Sequence, residues 1–337
     1  LPFSRRKGIL PAMCAVLITG GAGYIGSHVN KLLSSQGVET VVFDSLVTGH
    51  ADFLQWGEFV AGDLLDPAAL DRAFAGPPIH AVLHFASFIA VGESVADPNK
   101  YYRNNVAATL NLLGAMVRHH VSGLVFSSSA SVYGEPEQEL LDEEHPMRPL
   151  SPYARSKAMV EQMLEDYHRA HGLASCRLRY FNAAGADPDG LLGERHEPET
   201  HLIPLVLQTA LGLRPHISLY GTDYPTSDGT CIRDYIHVHD LAHAHALALD
   251  WLEQGETRAF NLGNGNGYSV REVVETARKV TGRDIPAEEA PRRDGDSPVL
   301  VASSARARAE LGWAPGFGDL ETIIRSAWDW HRKDCRN

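Results

Sequence analysis

Cysteine is scarce in this sequence: four in 337 residues, Cys14, Cys176, Cys231 and Cys335, with no CxxC pair. Thiols so scattered favour a reducing compartment, the cytoplasm, over a disulfide framework. Apolar runs are short, and none approaches the ~20 residues that a membrane span requires. Positive charge is in deficit. Thirty Lys and Arg stand against 42 Asp and Glu, a formal charge of −12. A general nucleic-acid surface needs clustered cations, so this balance argues against one, while a local arginine pocket for a small anion stays compatible. Internal repeats and low-complexity tracts are missing too. What the chain has is bulk: 44% hydrophobic content supports a sizeable core, as two lobes or one enlarged α/β unit. Residues 1–12, LPFSRRKGILPA, are basic and lack a signal peptide's apolar core. They read as a leader, tag remnant or disordered arm, with the folded part starting near Met13.

The stretch that organises the chain is Val16–Gly26, VLITGGAGYIG. A short apolar strand runs into Gly20, Gly21, Gly23 and Gly26, and a helical pattern follows over Ser27–Ser34. Glycine serves geometry here: a tight turn off the strand, close backbone approach to a pyrophosphate, and close helix–strand packing. The free amides of the helix N-terminus then face the phosphates. A second strand, Thr40–Phe43, ends at Asp44, 24 residues beyond Gly20, where an acidic side chain meets the adenosine ribose hydroxyls. A carboxylate there repels a 2′-phosphate, so NAD is preferred over NADP.

Further strands are read at Glu58–Ala61, Ala81–Phe85, Leu124–Ser128 and Arg177–Phe181, and helices at Pro67–Phe74, Tyr101–Val117 and Ser156–Arg169. This alternation predicts an α/β fold, a Rossmann-type doubly wound parallel sheet covered on both faces. Ligands then sit beyond the carboxyl ends of strands, which singles out Asp44, Asp63, Ala86 and Ser127–Ser129. Asp63 suits the adenine amino group or, alternatively, a helix cap. Beyond Asn182 the pattern loosens. A polar loop over Pro188–His201 precedes a helix at Leu202–Leu211. Short strands at Ile217–Tyr220, Ile236–Val238 and Ala259–Leu262 and helices at Leu241–Glu253, Val270–Thr281, Ser304–Leu311 and Leu320–His331 follow. The expected division is a core over 13–181 and a smaller, interleaved α/β substrate lobe over 182–337, with 234–251 returning to the core.

Tyr153 and Lys157 stand four residues apart in YARSK, on one face of a helix. A tyrosine with a pKa near ~10 is a poor base at neutral pH, but a neighbouring ammonium and a nicotinamide cation would stabilise its phenolate. Ser129 or Ser131, just past a strand end, can bridge Tyr153 to a sugar oxygen; serines also commonly fill turns. The histidines of IHVHDLAHAHALAL lack a zinc-binding pattern and read as structural. No metal ligands are assigned.

Together TGGAGYIGSH, HFASFIAVGESV, YYRNNVAATLNLL, FSSSASVYG, SPYARSK, LRYFNAAGA, DYPTSDGTCIRDYIHVHDLA, NLGNGNGYSV and RRDGDSP resemble the extended short-chain dehydrogenase/reductase family. Within it they resemble the nucleotide-sugar 4-epimerases acting on UDP-glucose and UDP-galactose. The resemblance covers roughly Cys14–Trp330. It implies a tightly held NAD, reversible C4 oxidation through a 4-keto sugar, and a homodimer through helices near Tyr101–His119 and Ser156–Arg169. Tyr153 would be base and acid, Lys157 its electrostatic partner and Ser129 the hydroxyl relay. Gly20, Gly23, Tyr24, Ile25, Gly26, Asp44, Asp63, Phe85, Ala86, Asn104, Ser127, Tyr153, Lys157 and Tyr180 would hold NAD. Asn182, Leu202, Arg233, Arg293 and Asp296 would hold the UDP-sugar, with Ser129, Ser131 and Tyr153 at the sugar. Three positions depart from the pattern. Ile89 stands where some members carry a lysine near the cofactor, and His201 where an asparagine is common. Leu300 occupies a position at which a larger tyrosine closes the pocket to N-acetyl groups. UDP-N-acetylhexosamines and UDP-pentoses are thus alternative substrates. A 4,6-dehydratase is disfavoured because Ser129–Ala130 replaces its Asp–Glu pair, and a non-catalytic NAD-binding regulator because the reactive residues are intact.

Overall fold

The structure, a computed structural model, describes residues 14–293 and 296–335. The segment read as a leader, residues 1–12, and Met13 lie outside these. A seven-stranded, all-parallel sheet forms the centre. From one edge to the other its strands are Thr257–Leu262, Ala174–Tyr180, Gly123–Ser127, Ile79–His84, Ala15–Thr19, Glu39–Asp44 and Glu58–Ala61. The strand-order reversal falls between Ala15–Thr19 and Ile79–His84, so the glycine-rich turn leaves the sheet at the switch point where such folds bind ligands.

Period-two alternation divides the first strand between two cores. Val16 and Ile18 face Val29 and Leu33 of helix Tyr24–Ser35 and Leu241 and Leu249 of helix Val238–Trp251. Ala15 and Leu17 face the other way, onto Leu112, Met116, Val160 and Leu164 from helices Ala108–Arg118 and Pro152–His171. With both faces covered, the strands read as continuous apolar runs.

The second half builds a third core from helices Leu202–Ala210, Val270–Thr281 and Leu320–Asp334. A five-stranded sheet joins Gly267–Ser269, Ile232–His237, Val299–Ala302, Leu140–Leu141 and Asn182–Ala184. Strands Ile217–Tyr220 and Ala287–Ala290 pair separately. The interleaving runs further than the sequence indicated. Strand Thr257–Leu262, read as part of the smaller lobe, pairs along its length with Ala174–Tyr180 and closes the central sheet. In the opposite direction, Leu140–Leu141 leaves the first half to pair with Val301 and Ala302.

Candidate active site

Gly20 leaves the first strand at φ +75°, and a Cβ there would come within 2.5 Å of the Ala86 nitrogen. Gly26 sits in the first helical turn, where a Cβ would meet the Gly20 carbonyl oxygen at 2.3 Å. Only hydrogen fits at either position, which leaves a cradle of bare backbone at the helix N-terminus suited to a pyrophosphate. Asp44 closes its floor. Its buried carboxylate accepts from Ala22 N at 3.0 Å and Leu46 N at 2.8 Å. Tyr24 donates to the Gly185 carbonyl at 2.6 Å, and Ile25 packs on the apolar core. The exposed Asp63 accepts from Leu65 N at 2.8 Å. It does not cap the following helix; Asp66 does, accepting from Ala68 N. Phe85 lies 4.7 Å from the His245 ring centre, on the same strand end as Ala86.

Helix Pro152–His171 starts earlier than its apolar pattern indicated. Ser151 caps it, accepting from Ala154 N at 3.2 Å, and Pro152 occupies its first turn. Tyr153 and Lys157 are therefore fixed in the first two turns, beside the end of strand Gly123–Ser127. Lys157 is buried; its Nζ donates to the Ser127 carbonyl at 2.8 Å and lies 5.9 Å from the Tyr153 ring centre. Ser127 Oγ and the Tyr180 hydroxyl share a short hydrogen bond. Ser129 hydrogen-bonds the Tyr153 phenol and also accepts from Ser131 N at 3.2 Å. Ser131 Oγ is buried without a hydrogen-bond partner, a hydroxyl free for a ligand. Burial pushes the Tyr153 phenol up, and the Ser129 hydrogen bond opposes it. Burial acts on Lys157 as well, bringing its pKa down to about 7 against the pull of the Glu161 carboxylate.

A buried polar chain holds this corner. Thr19 Oγ1 and Thr109 Oγ1 lie 2.7 and 2.8 Å from the two His84 ring nitrogens. Thr109 donates to Asn105 O, Asn105 to Ser156 Oγ, and Ser156 to Tyr153 O. Asn104, read as a cofactor contact, reaches only its neighbour's Asn105 Oδ1, at 3.0 Å, among these residues; Asn105 is the one woven into the site. Glu161 was missed as well. It lies one turn beyond Lys157, fully buried, and accepts from Ser128 Oγ at 2.6 Å and from Arg179 Nε at 2.9 Å.

Residues expected to hold the nucleotide sugar also converge. Arg233 and Arg293 both reach Asp296, at 3.4 and 2.9 Å, and Arg293 lies over the Tyr220 ring at 4.9 Å. Arg233 is in register with Leu300 across strands Ile232–His237 and Val299–Ala302. Leu300 packs against the buried cluster that holds Ala130, Val132 and Tyr133, which brings this arginine pair toward the serine and tyrosine segments. Asn182 donates to Asp234 O at 2.8 Å, and Leu202 opens helix Leu202–Ala210 after His201. In the IHVHDLAHAHALAL segment His237 accepts from His239 N, and His245 Nδ1 lies 2.8 Å from Leu241 O.

Known proteins share this sequence and fold over nearly their whole length. A UDP-glucose 4-epimerase of Halalkalibacterium halodurans is 52% identical over 320 residues, covering 95% of this chain and 96% of that relative. A solved UDP-glucose 4-epimerase from Brucella ovis, in complex with NAD, is 50% identical with a TM-score of 0.92, covering 94% of this chain and 97% of that one. A solved UDP-Glc/GlcNAc 4-epimerase from Campylobacter jejuni is 41% identical with a TM-score of 0.84, covering 95% and 99%. Residues 16–263, from the first strand through the last strand of the central sheet, match the NAD dependent epimerase/dehydratase family as a unit. With the glycine cradle, the Tyr153–Lys157 pair and the arginine pair all in place, the chain belongs to that family.

Proposed function

We infer that the protein interconverts UDP-galactose and UDP-glucose by inverting the hexose C4, with a tightly held NAD. The observation that carries this reading is the joint placement of Tyr153, Lys157 and Ser129 at one strand end, on the sheet whose switch point forms the glycine cradle. When bound, NAD supplies the hydride acceptor and donor for sugar C4. The chain's own residues do the rest. Tyr153 takes the proton of the 4-hydroxyl and later returns it, and Ser129 relays it or orients the sugar oxygen. Lys157 sets the electrostatics of the phenol and contributes to ribose binding. Gly20, Gly23, Gly26 and Asp44 shape the dinucleotide site, with Tyr24, Ile25, Asp63, Phe85, Ala86, Asn104, Ser127 and Tyr180 around it. Arg233 and Arg293 neutralise the diphosphate through guanidinium forks. Asp296 and Asn182 accept from and donate to the nucleotide sugar, and Leu202 and Ser131 complete its surroundings. The functional division we propose is an NAD-binding core over 13–181 joined by 234–251 and 257–262, with the remainder binding substrate.

A homodimer fits the exposed apolar side chains Val91, Val95, Leu110 and Met159 on or beside the helices expected to pair. Four free cysteines fit the cytoplasm. No helix among the described residues is long and apolar enough to cross a membrane. Incubating purified protein with UDP-galactose, without added NAD, and resolving the products by NMR tests the main reading. UDP-glucose should accumulate; an unchanged substrate with stoichiometric NAD on the protein would contradict it. A second reading, activity on UDP-N-acetylhexosamines, is favoured by one residue, Leu300, which is smaller than the tyrosine that closes the site to N-acetyl groups.

A further inference from the structure

Between strand Asn182–Ala184 and helix Leu202–Ala210 lies the sequence Glu-Arg-His-Glu-Pro-Glu-Thr-His, residues 194–201. Four of its side chains turn toward one point. The Nδ1 atom of His201 is 2.7 Å from a Glu194 oxygen and 3.3 Å from a Glu199 oxygen. The Nδ1 atom of His196 is 3.3 Å from the same Glu194 oxygen and 3.7 Å from the other Glu199 oxygen. One donor atom from each of the four side chains lies within 4.8 Å of all the others. We propose that Glu194, His196, Glu199 and His201 form a four-coordinate site for a divalent cation, with zinc the best match.

Geometry distinguishes this group from two ordinary ion pairs. Both Nδ1 atoms are shielded from water and neither meets a carboxylate at the angle of a well-formed hydrogen bond, although carboxylate oxygens stand within 3.3 Å of each. The rings are near the carboxylates, and one donor atom of each of the four side chains is close to all the others. Tetrahedral bonds of ~2.0–2.1 Å set ligand atoms roughly 3.3–3.4 Å apart, and the observed separations bracket that value. Two neutral imidazoles with two carboxylates carry a charge of −2, which a divalent ion cancels. Mixed nitrogen and oxygen donors suit zinc, whereas calcium and magnesium prefer oxygen throughout.

The surroundings are those of a structural site. Glu194 and Glu199 side chains are each 5% exposed, while the His201 side chain is 44% exposed and provides an entry path. Glu199 is oriented by Thr200 N and His201 N, both donating to its Oε1. Arg195 points elsewhere, to Asp52 and Asp334, so no guanidinium competes for the carboxylates. Four protein ligands close the coordination sphere and leave no open position for chemistry. The ion would pin the loop at the start of helix Leu202–Ala210, and the His196 ring already sits 6.4 Å from Tyr24 at the start of the first helix.

The test is a zinc titration of the full chain after chelator treatment, against a chromophoric competitor, with metal counted by mass spectrometry after desalting. One zinc per chain is expected. His196→Gln should weaken it by more than the 10- to 100-fold typical of losing an outer-shell partner. Binding well below one per chain, or binding unchanged in His196→Gln, would overturn the site and return the cluster to two imidazole–carboxylate ion pairs. Cobalt substitution of the unmutated chain gives an answer independent of how the variant folds. Intense visible bands of four-coordinate cobalt support the proposal, and the weak spectrum of a six-coordinate ion contradicts it.

Discussion

Single side chains decide the chemistry. Tyr153→Phe keeps the ring and its packing but removes the group proposed to move the proton. The variant should retain NAD and lose ~10²- to 10⁴-fold in kcat on UDP-galactose, with mass spectrometry of the bound nucleotide as the control. Turnover within a fewfold of the parent would remove Tyr153 from the mechanism. Leu300 is the residue proposed to set breadth. Its side chain packs against the cluster that contains Ala130 and Val132, and leucine offers an N-acetyl group volume but no hydrogen bond for its amide. UDP-glucose and UDP-galactose should therefore be the main substrates, with N-acetyl turnover secondary. Leu300→Tyr should suppress the secondary activity selectively. The measurement is kcat/KM on both substrate pairs in both proteins; equal losses on the two pairs would show general damage instead of a steric filter.

At the scale of elements, the glycine turn is the least tolerant. A methyl group at position 26 would strike the Gly20 carbonyl, which is backbone and cannot swing aside. Gly26→Ala should thus push the first helix off the strand end and empty the cofactor site, read as loss of co-purifying NAD. Retention of NAD near one per chain would mean the turn tolerates the shift. This turn was fully legible in the sequence, because its constraint is local: strand, glycines and helix are contiguous. The Tyr153–Lys157 pair was legible for the same reason, and one further step along that helical stripe reaches Glu161, which an i, i+4 extension would have found. Strand Thr257–Leu262 was visible as a strand but not in its sheet, since its partner lies some 80 residues earlier and short apolar runs carry no label for distant pairing. Asn104 and Asn105 could not be separated by type, and only the geometry shows which one ties Phe88 to Ser156. Glu194, His196, Glu199 and His201 stood in plain sight within eight residues. Helical and Cys/His spacings do not mark them, because this cluster lies on a loop with carboxylates as half its donors.

The molecule as a whole buries histidines in neutral form, and this couples its stability to pH. Burial lowers the pKa of His28 and His245 to about 4 and of His84 and His237 to about 3. Unfolded, each returns to ~6.5. Between those values the unfolded chain binds protons that the folded chain refuses, so stability rises with pH. Each histidine's contribution is complete above pH ~6.5 and is lost as pH falls through its folded value. Other groups act in the opposite sense. Burial raises Asp234 to about 6, a contribution present below the ordinary carboxylate range and lost as pH rises through 6. In the metal-free chain His196 and His201 are held high by Glu194 and Glu199 against burial. Because these signs oppose, the total slope does not isolate the histidines, but a difference of slopes does. His245 is suited to that comparison: it is fully buried, with Nδ1 against Leu241 O and Nε2 without a partner. His245→Gln removes one proton from the linkage. Between pH 4.5 and 5.5 the stability of the variant, measured by urea unfolding, should depend on pH less steeply than the parent's by ~1 kcal/mol per pH unit. Parallel stability–pH curves for the two proteins would mean that His245 is protonated in the folded state, and that its environment is wetter than its burial at the back of Phe85 indicates.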